Sequence, residues 1–220
     1  LPHAQWGGTA SGGMAAGATA GIEAGQVLFL PGLSFARQPQ EAVLFTPAIL
    51  GSAKNASFDP ATGRLGGTNA SGDDAEVLRA LIRRFSDAAA ALVNTLLPDY
   101  RATIARGRAS FRPAEIAGRP SSWRKDDTRL HVDSFPATPT GGRRILRVFT
   151  NVNPEAPRVW RSGGTFEDLA SRFAAPSGLL DRARRGGPVG ALRRLARAVG
   201  LPVAARSPYD RFMLSFHHYL

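Results

Sequence analysis

His131 and Asp133 are the two residues of this chain whose types and spacing could do chemistry. They open the stretch HVDSFPATPTGGRRILRVFTNVNP, residues 131 to 154. On a strand, alternate side chains share a face, so an imidazole nitrogen and a carboxylate oxygen would project together toward one cation. With a second histidine, that set makes the facial triad of non-haem Fe(II) sites and leaves three coordination positions open. The pair alone is a weak signal. The chain has four histidines (His3, His131, His217 and His218) and no cysteine. Disulfides, thiolate metal sites and a cysteine nucleophile are therefore excluded.

The run RILRVFTNVN, 144 to 153, reads as the clearest strand, rich in Val, Ile, Phe and Thr. Leu146, Val148, Thr150 and Val152 form a face suited to packing. Ile145, Arg147, Phe149, Asn151 and Asn153 form the other. A guanidinium and two amides on a buried face need partners, which a barrel interior holding an anionic ligand would supply. A solvated edge-strand face is the equal alternative. On the first reading, Arg147 contacts a ligand carboxylate through a charge-assisted pair, with Asn151 beside it.

Other elements must position these groups. Val77, Leu78, Leu81, Ile82, Phe85, Leu92, Val93, Leu96 and Leu97 recur at helical spacing. Asp73 and Asp74 favour that helix's N-terminus and Pro98 ends it. ASFRPAEI and TRLHVDSF read as short strands, and GQVLFLPGLSF as a strand stopped by a turn at Pro31 and Gly32. KNASFDPATGRLGGTNASGDD reads as a long polar loop. Thr165 with Asp168 signals a helix N-terminus at TFEDLASRF. PVGALRRLARAV and YDRFMLSFHHYL are two further amphipathic patterns. His217 and His218 lie on the last of these, where a core or helix-surface role is the better reading and ligation the lesser one.

The 220 residues suit one domain, and 28 basic against 17 acidic residues leave a net charge of +11. That balance favours an anionic partner. Charge alone suggests nucleic acid, but no module motif or interleaved aromatic stripe supports it, so no nucleic-acid partner is expected. No G-x-S-x-G elbow points to a serine hydrolase. The absence of cysteine fits a reducing cytoplasm. No apolar run reaches membrane-spanning length, and residues 1 to 25 read as a flexible segment without a signal-peptide pattern. The basic face around Arg193, Arg194 and Arg197 suits peripheral contact with anionic headgroups such as those of the inner membrane surface.

The stretch SSWRKDDTRLHVDSFPATPTGGRRILRVFTNVNP resembles the core of the bacterial Kdo hydroxylases. LFTPAIL, KNASFDPATGRLGG and RGRASFRPAEIAGRPSSWRKDDTRLHVDSF carry the likeness further, over roughly residues 26 to 220. The resemblance implies an Fe(II)/2-oxoglutarate-dependent dioxygenase that uses O2 to hydroxylate the Kdo sugar of a lipid A precursor. It implies a mainly β, α+β architecture with flanking helices, a double-stranded β-helix of jelly-roll or cupin-like type. His131 and Asp133 would be the first two iron ligands and the catalytic centre. The chain begins with Leu1, as a fragment or processed product would. The family's second histidine is expected on a late strand, so the β-helix should be incomplete here and the third ligand should lie beyond Leu220. His217 is the weaker candidate. Arg124 and Lys125 could meet the anionic substrate, with Asn55 and Ser57 as weaker candidates and Trp123 able to stack on a sugar. The alternative function is a non-catalytic β-helix that binds an anionic sugar or metal.

Overall fold

The computed structural model describes residues 2–113, 129–133, 139–161, 163–175, 178, 179, 181, 198 and 206–220. It comprises two compact units, Leu1–Ala117 with Val148–Arg158, and Gly118–Arg147 with Val159–Leu220.

The first unit is organised by α2, Gly72–Leu96. Asp73 and Asp74 lie in its first turn, against the positive end of the helix dipole. Pro98 follows, opening a short 3-10 turn at Pro98–Tyr100. The expected apolar stripe is the buried one: Leu78, Leu81, Ile82, Leu92 and Leu96. Leu78 is fully buried, and burial of such a side chain contributes about 1.5–3 kcal/mol. Leu78, Leu81 and Ile82 pack against Leu44, Ile49, Leu50, Ala56, Phe58 and Phe111.

Those last three residues belong to a three-stranded antiparallel sheet of order β2-β1-β3. Its strands are β1 (Ala56–Phe58), β2 (Leu65–Gly66) and β3 (Ala109–Phe111). Ala56 pairs with Phe111, and Phe58 with Leu65 and Ala109. Alternation on β1 buries Ala56 and Phe58, as a half-covered antiparallel sheet requires.

The segment 54–74, expected to be loop throughout, contains the β1–β2 hairpin. Its turn is built by Asp59, whose carboxylate accepts from Ala61 N at 3.0 Å and whose carbonyl accepts from Gly63 N at 2.8 Å. Gly63 holds φ +69° there. The strands are too short for their alternation to stand out in sequence.

A second difference lies near the N-terminus, where α1 (Gly12–Glu23) occupies part of the segment that reads as flexible. Ser11 caps it, accepting from Met14 N at 3.3 Å. Its buried residues are Ala18 and Gly21. Contact through such small side chains leaves no stripe of large apolar residues to recognise.

The 3-10 helix Pro39–Leu44 carries Glu41, which is 2% exposed. Its carboxylate accepts from Arg84 Nη2 at 2.6 and 2.9 Å and from Gln38 N at 2.8 Å. Arg84 also stacks 4.2 Å over Phe35. A buried carboxylate without these partners would carry a desolvation cost of several kcal/mol.

In the second unit, α3 (Phe166–Phe173) starts where the sequence signals it, with Thr165 Oγ1 accepting from Asp168 N at 3.2 Å. The last helix, α4, spans Pro208–Tyr219. Ser207 and Asp210 form a capping box: Asp210 N donates to Ser207 Oγ at 3.1 Å, and Ser207 N to Asp210 Oδ2 at 3.0 Å. Leu169, Leu179 and Phe216 form this unit's core, with Val132, Phe173, Phe212 and Leu220 packed on it.

The described residues thus combine helices with one small sheet, a mixed α+β architecture. Residues 129–133 and 143–153 belong to no sheet, and neither does 26–30, where Val27 and Phe29 are 88% and 74% exposed. Strand-forming composition makes a strand only when neighbouring backbone completes the ladder. The helix expected at PVGALRRLARAV lies outside the described residues except for Ala198.

Candidate active site

Val132 anchors the central segment of the second unit by packing onto the Leu169–Leu179–Phe216 cluster. Its neighbours His131 and Asp133 lie outside that cluster. The His131 Nδ1 is 2.7 Å from the Arg129 carbonyl oxygen. A carbonyl can only accept, so Nδ1 carries the proton and Nε2 is the nitrogen left to offer a lone pair. That is the tautomer a metal-binding histidine needs, oriented by its own backbone as outer-shell partners do.

Asp133 is half-buried and forms an ion pair with the Arg147 guanidinium. The structure therefore brings together Asp133 and Arg147, two residues that the sequence singles out, with His131 two positions before Asp133. An imidazole nitrogen and a carboxylate suit Fe(II), so the residues present fit two of its three protein ligands. Among the described residues no cluster of three or more His, Asp or Glu side chains is spaced to hold a metal.

His217 lies on α4 with its ring centroid 5.7 Å from that of His131, the two planes near perpendicular. Its Nδ1 donates to the Val132 carbonyl. His218, beside it, is exposed. Asp133 also lines a small concavity with Thr140, Arg143, Arg206, Tyr209 and Asp210.

Asp210 is a residue that sequence reasoning missed, although the spacing Ser207-Pro-Tyr-Asp210 is a recognisable capping signal. It is 6% exposed. Beyond Ser207, its carboxylate accepts from Thr140 N at 2.7 Å, Thr140 Oγ1 at 3.2 Å and Gly141 N at 3.2 Å. Burial pushes its pKa up. Hydrogen bonds from Ser207, Thr140 and Gly141 outweigh that and hold the carboxyl below its ordinary value.

The remaining candidates divide. In the first unit, Asn151 Nδ2 donates to the Ala156 carbonyl at 2.7 Å and its Oδ1 accepts from Asn153 N at 3.1 Å, an Asx turn. Along 145–153 the expected two faces are present. Leu146, Val148, Thr150 and Val152 are half-buried, while Ile145, Arg147, Phe149, Asn151 and Asn153 are exposed. Ser57 Oγ donates to the Gly66 carbonyl within the sheet at 3.4 Å, and Asn55 immediately precedes β1. Trp123, Arg124 and Lys125 lie outside the described residues.

Residues 5–220 match the family model of 3-deoxy-D-manno-oct-2-ulosonic acid (Kdo) hydroxylase. The chain belongs to the Kdo hydroxylase family. Solved structures of the Kdo hydroxylase KdoO, a non-heme Fe(II) α-ketoglutarate (2-oxoglutarate) dependent dioxygenase, resemble it throughout. The complex with α-ketoglutarate and Fe(III) is 36% identical with a TM-score of 0.84, covering 100% of this chain and 71% of that one. The cobalt(II) complex is 37% identical with a TM-score of 0.85 and the same coverage. Among curated proteins no sequence matches this Kdo hydroxylase. Among the described residues no helix is long and apolar enough to cross a membrane.

Proposed function

We propose that this chain hydroxylates the Kdo sugar of a lipid A precursor as an Fe(II)/2-oxoglutarate-dependent dioxygenase, with His131 and Asp133 as two of its iron ligands. Whole-chain likeness to KdoO, at 36–37% identity, carries the reading. The iron, when bound with 2-oxoglutarate and O2, supplies oxidative decarboxylation to succinate coupled to hydroxylation of a C–H bond. A double-stranded β-helix is the scaffold such a site implies, and the third ligand comes from outside the described residues.

Each residue has a part in this scheme. His131 offers Nε2 because its Nδ1 proton is held by the Arg129 carbonyl. Asp133 offers a carboxylate that pairs with the Arg147 guanidinium. Arg147 would also be the residue to give paired donors to a 2-oxoglutarate carboxylate, with Asn151 as a further contact. Arg124 and Lys125 contact the acidic acceptor, Asn55 and Ser57 assist, and basic surface makes peripheral contact with anionic lipid.

The test is mass spectrometry of a Kdo-containing lipid A precursor incubated with Fe(II), 2-oxoglutarate and O2. A gain of one oxygen with equimolar succinate is expected, and loss of both in His131→Ala and Asp133→Ala. Binding of the acceptor without succinate formation would instead make the chain a non-catalytic sugar-binding β-helix.

A further inference from the structure

Helix α4 grips the segment around His131 and Asp133 at both its ends. Near its C-terminus, His217 Nδ1 donates to the carbonyl of Val132, the residue between the two proposed ligands. Arg129 Nη2 donates to the Leu220 carbonyl at 3.2 Å, and Val132 packs onto the cluster containing Phe216. Near its N-terminus, Asp210 receives the backbone N–H groups of Thr140 and Gly141 at 2.7 and 3.2 Å. Residues 210 and 217 are two helical turns apart and share one face. Met213, also buried, lies on that face between them. One rigid helix face thus holds the chain on either side of Asp133.

We propose that α4 is a brace for the metal pair, with His217 as its positioning residue and Asp210 as its distal anchor. The inference rests on the reading of His131 and Asp133 as ligands. The angle between two ligands at i and i+2 depends on the backbone dihedrals of the residue between them. A hydrogen bond to that residue's carbonyl restrains these dihedrals, and the apolar packing of Val132 restrains them further. His217 acts on the metal through Val132 and not as a ligand itself. Among the described residues it forms no three-donor cluster with His131 and Asp133. Imidazole suits the role because it carries its donor on a short, flat ring that also packs edge-on to His131.

The test is anaerobic Co(II) titration of the intact protein, read by the metal's visible absorption and by bound metal per chain. Each variant is titrated well below its thermal midpoint. His217→Phe keeps a ring and loses the donor; His217→Asn keeps an N–H near the place of Nδ1. The expected result is one Co(II) per chain in all, with affinity weakened roughly tenfold or more in the Phe variant, as for lost outer-shell partners. The Asn variant should recover to within about threefold of the parent, most of that outer-shell contribution. Phe and Asn variants equal to the parent would overturn the brace. So would loss of bound metal in both, which would make His217 a ligand. His131→Ala run alongside separates the two layers: unchanged Co(II) affinity there sinks the ligand assignment, and the brace with it.

Discussion

One carbonyl oxygen decides which nitrogen of His131 can meet a metal, and one guanidinium is the ion-pair partner of the Asp133 carboxylate. Both effects act over single hydrogen-bonding distances, at Arg129 O and at Arg147. Arg147 is the residue whose role is most open to measurement. If it gives paired donors to the co-substrate, Arg147→Gln removes a charge-assisted pair worth about 1.5–3 kcal/mol. The KM for 2-oxoglutarate should then rise roughly tenfold or more, with the KM for the sugar acceptor little changed. Steady-state succinate formation at varied 2-oxoglutarate checks this; an unchanged KM would return Arg147 to a purely structural pairing with Asp133.

At the scale of elements, two short connections bear on stability. In the hairpin of the first unit, Gly67 holds φ +70°, and a Cβ built there would lie 2.5 Å from the Asn55 carbonyl oxygen. Gly67→Ala combines a strained backbone with a backbone collision, so it should cost about 1–3 kcal/mol or more, read from denaturant unfolding. At the start of α4, the Asp210 carboxyl has its pKa lowered by folding. A group of this kind stabilises the fold at pH above the ordinary aspartate value of about 3.9. The contribution is lost as pH falls through the lower folded value. Asp133, Arg143 and Arg206 line the same concavity. Asp210→Asn should therefore be less stable than the parent at neutral pH, with the difference shrinking toward pH 3. Thermal melts across that range should show the two curves converge; parallel curves would exclude an Asp210 contribution.

For the molecule as a whole, the relevant quantity is its net charge of +11, set against an acidic sugar on an anionic lipid. Attraction of that kind acts over a Debye length, which falls from about 10 Å at 0.1 M salt to about 3 Å at 1 M. The KM for the lipid-linked acceptor should rise severalfold over that range while kcat holds. A salt-independent KM would mean that specific contacts, and not the overall field, recruit the substrate.

Much of this was legible in sequence. The α2 stripe, the Thr165 cap and the α4 helix could be read locally, because helical periodicity and capping depend on residues within a turn or two of one another. The proposed metal pair is a local pattern for the same reason, since i and i+2 spacing survives whatever surrounds it, and the longer wording around it carried the family. Only the tertiary structure decided the rest. The alternation along 145–153 is present as burial, but whether such a run joins a sheet depends on neighbours distant in the chain. The grip of His217 on Val132, 85 positions away, and of Asp210 on Thr140, 70 positions away, left no trace in spacing. Such contacts cost loop-closure entropy that only the packed core offsets, so no local pattern encodes them.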